Sequence, residues 1–459
     1  MFPIKAIHTP TVKASAILTA LIVAMISMSI VTFNSVPHVP ILFAILLLFG
    51  YGLRKKLSYK ELERGLVEGA SAGMSAVFLF FFIGILVSSW MMSGTIPTII
   101  YAGLQLITPT FFYAIVFVVT AIIGLAVGSS LTTVATIGVA FISMAHILEL
   151  SLPLVAGAIV SGAFFGDKMS PLSDTTNLAS SIVGVDLFEH IRNMGWTTIP
   201  AFFISLLLFG ILSPNVTTAN LDSVETFSTA LLGTNLIHWY TLIPVAILIV
   251  LTFVKVPAIL TLAVSAVSAV MIAYIHTFYG VSDVLKILFS GYEGTTGVEA
   301  VDALLSRGDG MEGMMFTISL VLLALSMGGM LFTLGIVQCL LKKIESLLRK
   351  VSSVILTSAL TAIGINILIG EQYLSILLTG QAFQSSYEKV GLANKNLSRV
   401  MEDAGTVINP LVPWSVAGIF ITTVLDVSTV AYLPFAFFCL LSPVLTVLFG
   451  YLGKTLTRI

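Results

Sequence analysis

The sequence predicts an all-α polytopic membrane protein built from two inverted-topology repeats, each with about five spans plus a re-entrant helical hairpin, and with broken helices at the midplane. Three features lead there: long stretches without charge, a chain that matches itself halfway along, and short polar runs inside apolar sequence. Of 459 residues, 57% are hydrophobic and only 9% are charged; soluble domains carry about 25% charged residues. The 21 Lys and Arg and 22 Asp and Glu cannot coat a surface of this size in water, which argues against a soluble enzyme and against a disordered chain. A net charge of −1 without a large basic cluster argues against nucleic-acid binding. Cys339 and Cys439, as a lone pair, argue against a disulfide scaffold or a cysteine-rich zinc site.

Residues 14–53 and 69–148 contain no Asp, Glu, Lys or Arg, and residues 193–221, 404–425 and 427–453 repeat the pattern. A helix crosses the hydrocarbon core with about 20 apolar residues, so the first run holds two spans and the second three or four. Only helices or closed barrels satisfy the backbone in lipid, and the strand alternation of a barrel is absent. Lys5 and Lys13 precede residues 14–33 as in a signal peptide. That stretch is long for a cleaved segment and lacks a small-residue cleavage site after it, so it reads as a retained first span. The amphipathic run Ser58–Glu68 reads as a helix lying on the membrane surface.

The chain matches itself at an offset of about 240 residues, an arrangement common in transporters. Glu68-Gly69-Ala70-Ser71 aligns with Asp309-Gly310-Met311-Glu312, and Ser93-Gly94-Thr95-Ile96 with Leu334-Gly335-Ile336-Val337. Ser170-Pro171-Leu172 aligns with Asn409-Pro410-Leu411, Val185-Asp186 with Leu425-Asp426, and Leu208-Phe209-Gly210 with Leu448-Phe449-Gly450. Each basic cluster of one half faces a neutral or acidic loop of the other. The cluster at Arg54, Lys55, Lys56, Lys60 and Arg64 has acidic counterparts near Glu293–Asp302, and the one at Lys342, Lys343, Arg349 and Lys350 has neutral counterparts near Tyr101–Thr110. Positive residues favour the cytoplasm, so the halves are expected upside down relative to each other, with both termini cytoplasmic.

Residues 1–213 then form the first membrane repeat, with a hairpin at about 110–145 and a broken span at about 154–182. Residues 214–235 connect the halves outside. Residues 236–459 form the second repeat, with a hairpin at about 352–384 and a broken span at about 400–424. Two polar runs interrupt the broken spans, Gly166–Asn177 and Glu402–Trp414. Pro171 and Pro410 cannot donate a backbone hydrogen bond, and Gly166 and Gly405 loosen the helix. Unwound backbone offers carbonyls to a cation, while half-helix ends offer partial charge.

Intramembrane carboxylates are costly and point to function, which selects Asp167, Asp174, Asp403 and Glu371 as cation- or proton-binding groups. Ser129, Ser130, Thr132, Thr133, Thr175, Thr176, Asn177, Asn366 and Asn409 are the neutral oxygen ligands a hard cation needs. By the repeat, Asp403 corresponds to the Gly166-Asp167 region. Lys168 reads as a countercharge, Glu402 as an auxiliary group close to Arg399, and Trp414 as part of the second motif. Na⁺ is expected at the same residues as the proton, with no further cofactor.

The run Gly166-Asp167-Lys168-Met169-Ser170-Pro171-Leu172-Ser173-Asp174-Thr175-Thr176-Asn177-Leu178-Ala179 resembles the signature of NhaC-type sodium/proton antiporters. The first hairpin tip and Asn409-Pro410-Leu411-Val412-Pro413-Trp414 fit the same family, and the likeness spans nearly the whole chain. The resemblance implies a multi-pass protein of the bacterial plasma membrane, of elevator-like fold, exchanging cytoplasmic Na⁺ for external H⁺ by alternating access. Its partners would be Na⁺, H⁺ and the lipid bilayer; a homodimer stays open. The same family also resembles sodium-coupled malate/lactate exchangers, so an organic-acid exchanger is the rival, with Lys168 or Ser129 and Ser130 to hold a carboxylate. An ion channel fits a duplicated two-hairpin fold less well, and no catalytic metal signature such as His-Glu-x-x-His marks an enzyme.

Overall fold

The computed structural model describes residues 6–33, 35–106, 111–213, 227–294, 299–306, 310–345 and 350–459. The expected connection 214–235 lies outside the described residues up to 226, as do residues 107–110 of the loop after the third span. Among the described residues every regular element is helical, and 8 helices are long and apolar enough to cross a membrane, or up to 10 if each bent pair is one span. An isolated antiparallel bridge joins Leu392 to Arg458.

Two bundles pack side by side. The first contains Val12–Phe33, His38–Arg54, Tyr59–Ala72, Met74–Met92, Ala258–His276, Val281–Ser290 and Gly310–Thr333. Its tightest contact is between Tyr59–Ala72 and Gly310–Thr333. Gly65, Gly69 and Gly73 recur every fourth residue on one face of the shorter helix, the small-residue spacing that lets membrane helices approach closely. A Cβ on Gly69 would lie 2.3 Å from the Leu325 carbonyl oxygen and 2.9 Å from Gly329 Cα. The helix that Ser58 and Glu61 cap reciprocally is therefore locked against a membrane span, and it does not lie free on the surface as its amphipathic pattern predicts. Charged residues give the amphipathic signal, but the buried face is set by glycine, which that pattern does not weigh.

The second bundle holds both hairpins, both interrupted helices, and Leu187–Leu212 and Phe437–Leu452. Gly162 and Gly166 press Leu152–Met169 onto the backbone of Phe112–Val127, where a Cβ on Gly166 would meet the Leu125 nitrogen at 2.4 Å. Phe117, Phe202 and Phe209 fill the gap to Leu187–Leu212 with ring centroids 4.9 and 5.3 Å from Phe117. Phe80 is fully buried and stacks on Phe420 of the second bundle at 4.9 Å.

Equivalent turns recur through the chain. Gly94 and Gly335 both take a left-handed conformation at the end of a membrane helix, φ +79° and +69°, as do Gly128 and Gly370 at the hairpin tips, φ +67° and +74°. Met74–Met92 and Gly310–Thr333 run antiparallel: Gly73 touches Leu325 while Gly84 touches Gly310. The Ile7 N–H bonds the Thr333 carbonyl at 2.9 Å, and Gly52 packs on Leu334, so the N-terminal segment and the end of His38–Arg54 meet where Gly310–Thr333 ends.

Candidate functional site

Each hairpin tip is built the same way. Phe112–Val127 ends where the Gly128 N–H bonds the Gly124 carbonyl at 2.8 Å, and Val351–Ile369 ends where the Gly370 N–H bonds the Asn366 carbonyl at 2.8 Å. The next residue is extended and caps the returning helix. Ser129 Oγ accepts from the Thr132 N–H at 3.3 Å, and a Glu371 carboxylate oxygen accepts from the Leu374 N–H at 2.8 Å. Glycine is required twice over at these tips. Positive φ strains any residue with a Cβ, and a Cβ would strike Leu172 at 2.7 Å from Gly128 or the Trp414 carbonyl at 3.0 Å from Gly370. Each tip thus sits on the interrupted helix of its own half.

Those interruptions also match. Leu152–Met169 stops at Ser170, and Ser173 caps Asp174–Ile182 by accepting from the Thr176 N–H at 3.5 Å. Asn394–Leu411 is followed by Val416–Leu425 after a bend of 44°, and Ser415 caps the latter by accepting from the Gly418 N–H at 2.9 Å. Ser173 and Ser415 each cap a helix two residues after a proline, Pro171 and Pro413.

A cavity of about 1370 Å³ opens between the two bundles and receives both tips and both interruptions. Asp167, Asp174 and Glu371 line it, together with the predicted neutral residues Ser129, Ser130, Thr132, Thr175, Asn177 and Asn409. Each carboxylate stands at a helix N-terminus. Asp167 Oδ2 accepts from the Ser130 N–H at 3.1 Å, Asp174 opens its helix, and Glu371 caps one. Helix dipoles and free N–H groups offset part of the burden of burying a negative charge there. Among the described residues none of the three forms a salt bridge. No three His, Cys, Asp or Glu side chains among the described residues converge tightly enough to hold a metal ion alone. A bound Na⁺ would therefore draw on carboxylate, hydroxyl and carbonyl oxygens from several segments.

The other predicted residues brace this arrangement from outside the cavity. Asp403 pairs with Lys168, both fully buried, and its second oxygen accepts from Thr197 Oγ1 at 2.8 Å. Lys168 Nζ also lies 5.6 Å from the centre of the Phe438 ring. Asn366 donates to the Gly405 carbonyl at 2.6 Å and accepts from Asn409 at 2.8 Å, a clasp between hairpin and interrupted helix. Thr176 Oγ1 donates to the Lys168 carbonyl at 3.1 Å across the first break, and Thr133 Oγ1 donates to Ser129 at 2.8 Å. Trp414 Nε1 donates to the Ile367 carbonyl at 2.6 Å. Glu402 is buried beside Asp403, outside the residues that line the cavity.

Polar lining residues that escaped the sequence reading include Glu68, Lys255 and Tyr373. Glu68 is paired with Arg64 at 2.7 Å. It opens the first repeat match, which was the available signal. Tyr373 adjoins a tip residue, yet a lone tyrosine in apolar sequence carries no pattern of its own. Its phenol lies within electrostatic reach of Asp174, Glu371, Asp167 and Glu402 together.

The model of the Na⁺/H⁺ antiporter family matches residues 162–454, which include both polar runs, Gly166–Asn177 and Glu402–Trp414. The chain is 40% identical over 447 residues to the Na(+)/H(+) antiporter NhaC of Alkalihalophilus pseudofirmus, covering 96% of each chain. It is 37% identical over 422 residues to NhaC of Bacillus subtilis, covering 91% of this chain and 93% of that one. It is also 36% identical over 405 residues to the malate-2H(+)/Na(+)-lactate antiporter of Bacillus subtilis, covering 88% and 86%. The chain belongs to the NhaC-type Na⁺/H⁺ antiporter family.

Proposed function

We propose that this protein exchanges cytoplasmic Na⁺ for external H⁺ across a bacterial plasma membrane, with both termini cytoplasmic, and that Asp167, Asp174 and Glu371 hold Na⁺ and H⁺ in turn. The observation that carries the reading is the cavity between the bundles. It is lined by three carboxylates without salt-bridge partners at three helix N-termini. Loaded with Na⁺ or with protons, these carboxylates lose most of their net charge, and the bundle that carries them can shift against the other. Unloaded, they would take bare anions into low dielectric, a motion that desolvation opposes. Exchange follows because only loaded states cross. The antiparallel course of Met74–Met92 and Gly310–Thr333 supports an inverted repeat, the architecture that presents one site to either side. The distribution of Lys and Arg along the sequence supports the orientation.

Asp403 is left out of the binding set, since Lys168 and Thr197 occupy both its oxygens. The same pairing removes Lys168 as a receptor for an organic acid. The test is transport by the full-length protein in liposomes carrying an internal pH dye. Addition of Na⁺ is expected to drive proton movement without malate or lactate. A requirement for either acid would replace this reading with the organic-acid exchanger.

A further inference from the structure

Glu402 and Asp403 are neighbours in sequence with opposite fates. Asp403 is satisfied by Lys168 and Thr197. Glu402 is fully buried, and among the described residues neither carboxyl oxygen has a hydrogen-bond partner. The hydroxyl of Thr406, four residues on, is also buried without one. Glu402 opens a π-helical segment, Glu402–Thr406, in which the Val407 N–H reaches back to the Glu402 carbonyl at 3.4 Å. Such a bulge interrupts the regular ladder and recurs at functional positions. A purely structural acid would be paired with a cation or held by several hydrogen bonds; this one has no ion pair among the described residues and only the Thr406 hydroxyl beside it, and a bare anion so placed would be severely destabilising.

The charges facing Glu402 come from several elements. Lys168 and Asp167 act on it from Leu152–Met169, and Asp403 from its own segment. Tyr373 acts on it from Gln372–Lys389, and the same phenol borders the cavity and senses its three carboxylates. His190 and Cys439, from Leu187–Leu212 and Phe437–Leu452, sense Lys168. Tyr373 is thus a cavity-lining group that also lies near the buried acid.

We propose that Glu402 is a second proton-carrying site, set behind the cavity and reached past Tyr373, which moves with the exchange cycle but never binds Na⁺. It crosses as the neutral acid in one direction and gives up its proton on the other side. The carboxylate left behind faces Lys168, which it then shares with Asp403. The proton is the only species transferred. The exchange would accordingly carry one more proton than the cavity site alone provides, and would respond to membrane potential through that proton.

This inference rests on the proposed Na⁺/H⁺ exchange, and one experiment separates the two. Full-length wild type, Glu402→Gln and Glu402→Asp are placed in liposomes with a pH dye. The membrane potential is clamped with potassium and valinomycin, and the combination of Na⁺ and pH gradients giving no net flux is found for each. Glutamine has the shape of the neutral acid, so Glu402→Gln is expected to fold, to keep exchanging, and to balance at a proton-to-Na⁺ ratio lower by one. Glu402→Asp retains the wild-type ratio. An unchanged ratio in Glu402→Gln overturns the inference, as does a folded Glu402→Gln that exchanges nothing. If Glu402→Gln does not fold, a ratio lowered by one in Glu402→Asp overturns it as well, because an acid is still present. Wild type that moves no protons on Na⁺ addition overturns the exchange reading itself.

Discussion

Replacing Asp403 by Asn separates a structural ion pair from an ion ligand. Lys168 and Asp403 are both fully buried, they join interrupted helices from opposite halves of the chain, and Thr197 and the Phe438 ring complete the lysine's and aspartate's surroundings. Removing one partner of a buried pair leaves an uncompensated charge and costs about 3–5 kcal/mol. Loss of the geometry that sets Lys168 over Phe438 adds up to about 2 kcal/mol, the worth of a desolvated cation–π contact. Asp403→Asn and Lys168→Met are each expected to lower the melting temperature of the detergent-purified protein sharply. The double variant Lys168→Met/Asp403→Leu, which removes both charges, should recover most of the loss, because apolar replacement of a buried pair ranges from neutral to stabilising by about 1–4 kcal/mol. The double variant should also retain Na⁺-driven proton movement in liposomes. An Asp403→Asn protein that melts like wild type but exchanges nothing would refute the reasoning, since Asp403 would then be serving transport and not the fold.

Asp174→Asn should abolish exchange in liposomes while moving stability by no more than about 0.5 kcal/mol in a thermal melt, because Asp174 is exposed to the cavity and has no hydrogen bond to lose among the described residues. Gly69→Ala brings a Cβ to 2.3 Å from the Leu325 carbonyl oxygen, so the two helices must part; overpacking of this kind costs about 1–3 kcal/mol, read in the same melt. Gly370→Ala forces a side chain into a left-handed residue at φ +74° and against Trp414. The strain is about 1–2 kcal/mol, and the exchange rate should fall because the second hairpin tip can no longer seat Glu371.

The spans were legible because lipid imposes one rule, long apolar runs without charge, and residues 14–53 and 69–148 obey it plainly. The turns at Gly128 and Gly370 and the helix start at Ser173 follow from what glycine and serine do locally. What depends on distant partners was not legible. Nothing near Asp403 in sequence signals a lysine 235 residues away, so a paired carboxylate and a free one looked alike. Tyr59–Ala72 was read from its charged face, while its place in the bundle is set by Gly65 and Gly69.

Competition between Na⁺ and protons for one set of cavity carboxylates is measured most directly by the binding of radioactive Na⁺ to the purified protein across a series of pH values. Where those groups carry protons, Na⁺ affinity is expected to fall as pH is lowered, by about tenfold per pH unit for each proton displaced. Asp174→Asn should lose the Na⁺ binding. An affinity that stays constant as the pH drops, or one that survives removal of the Asp174 carboxylate, would contradict the account.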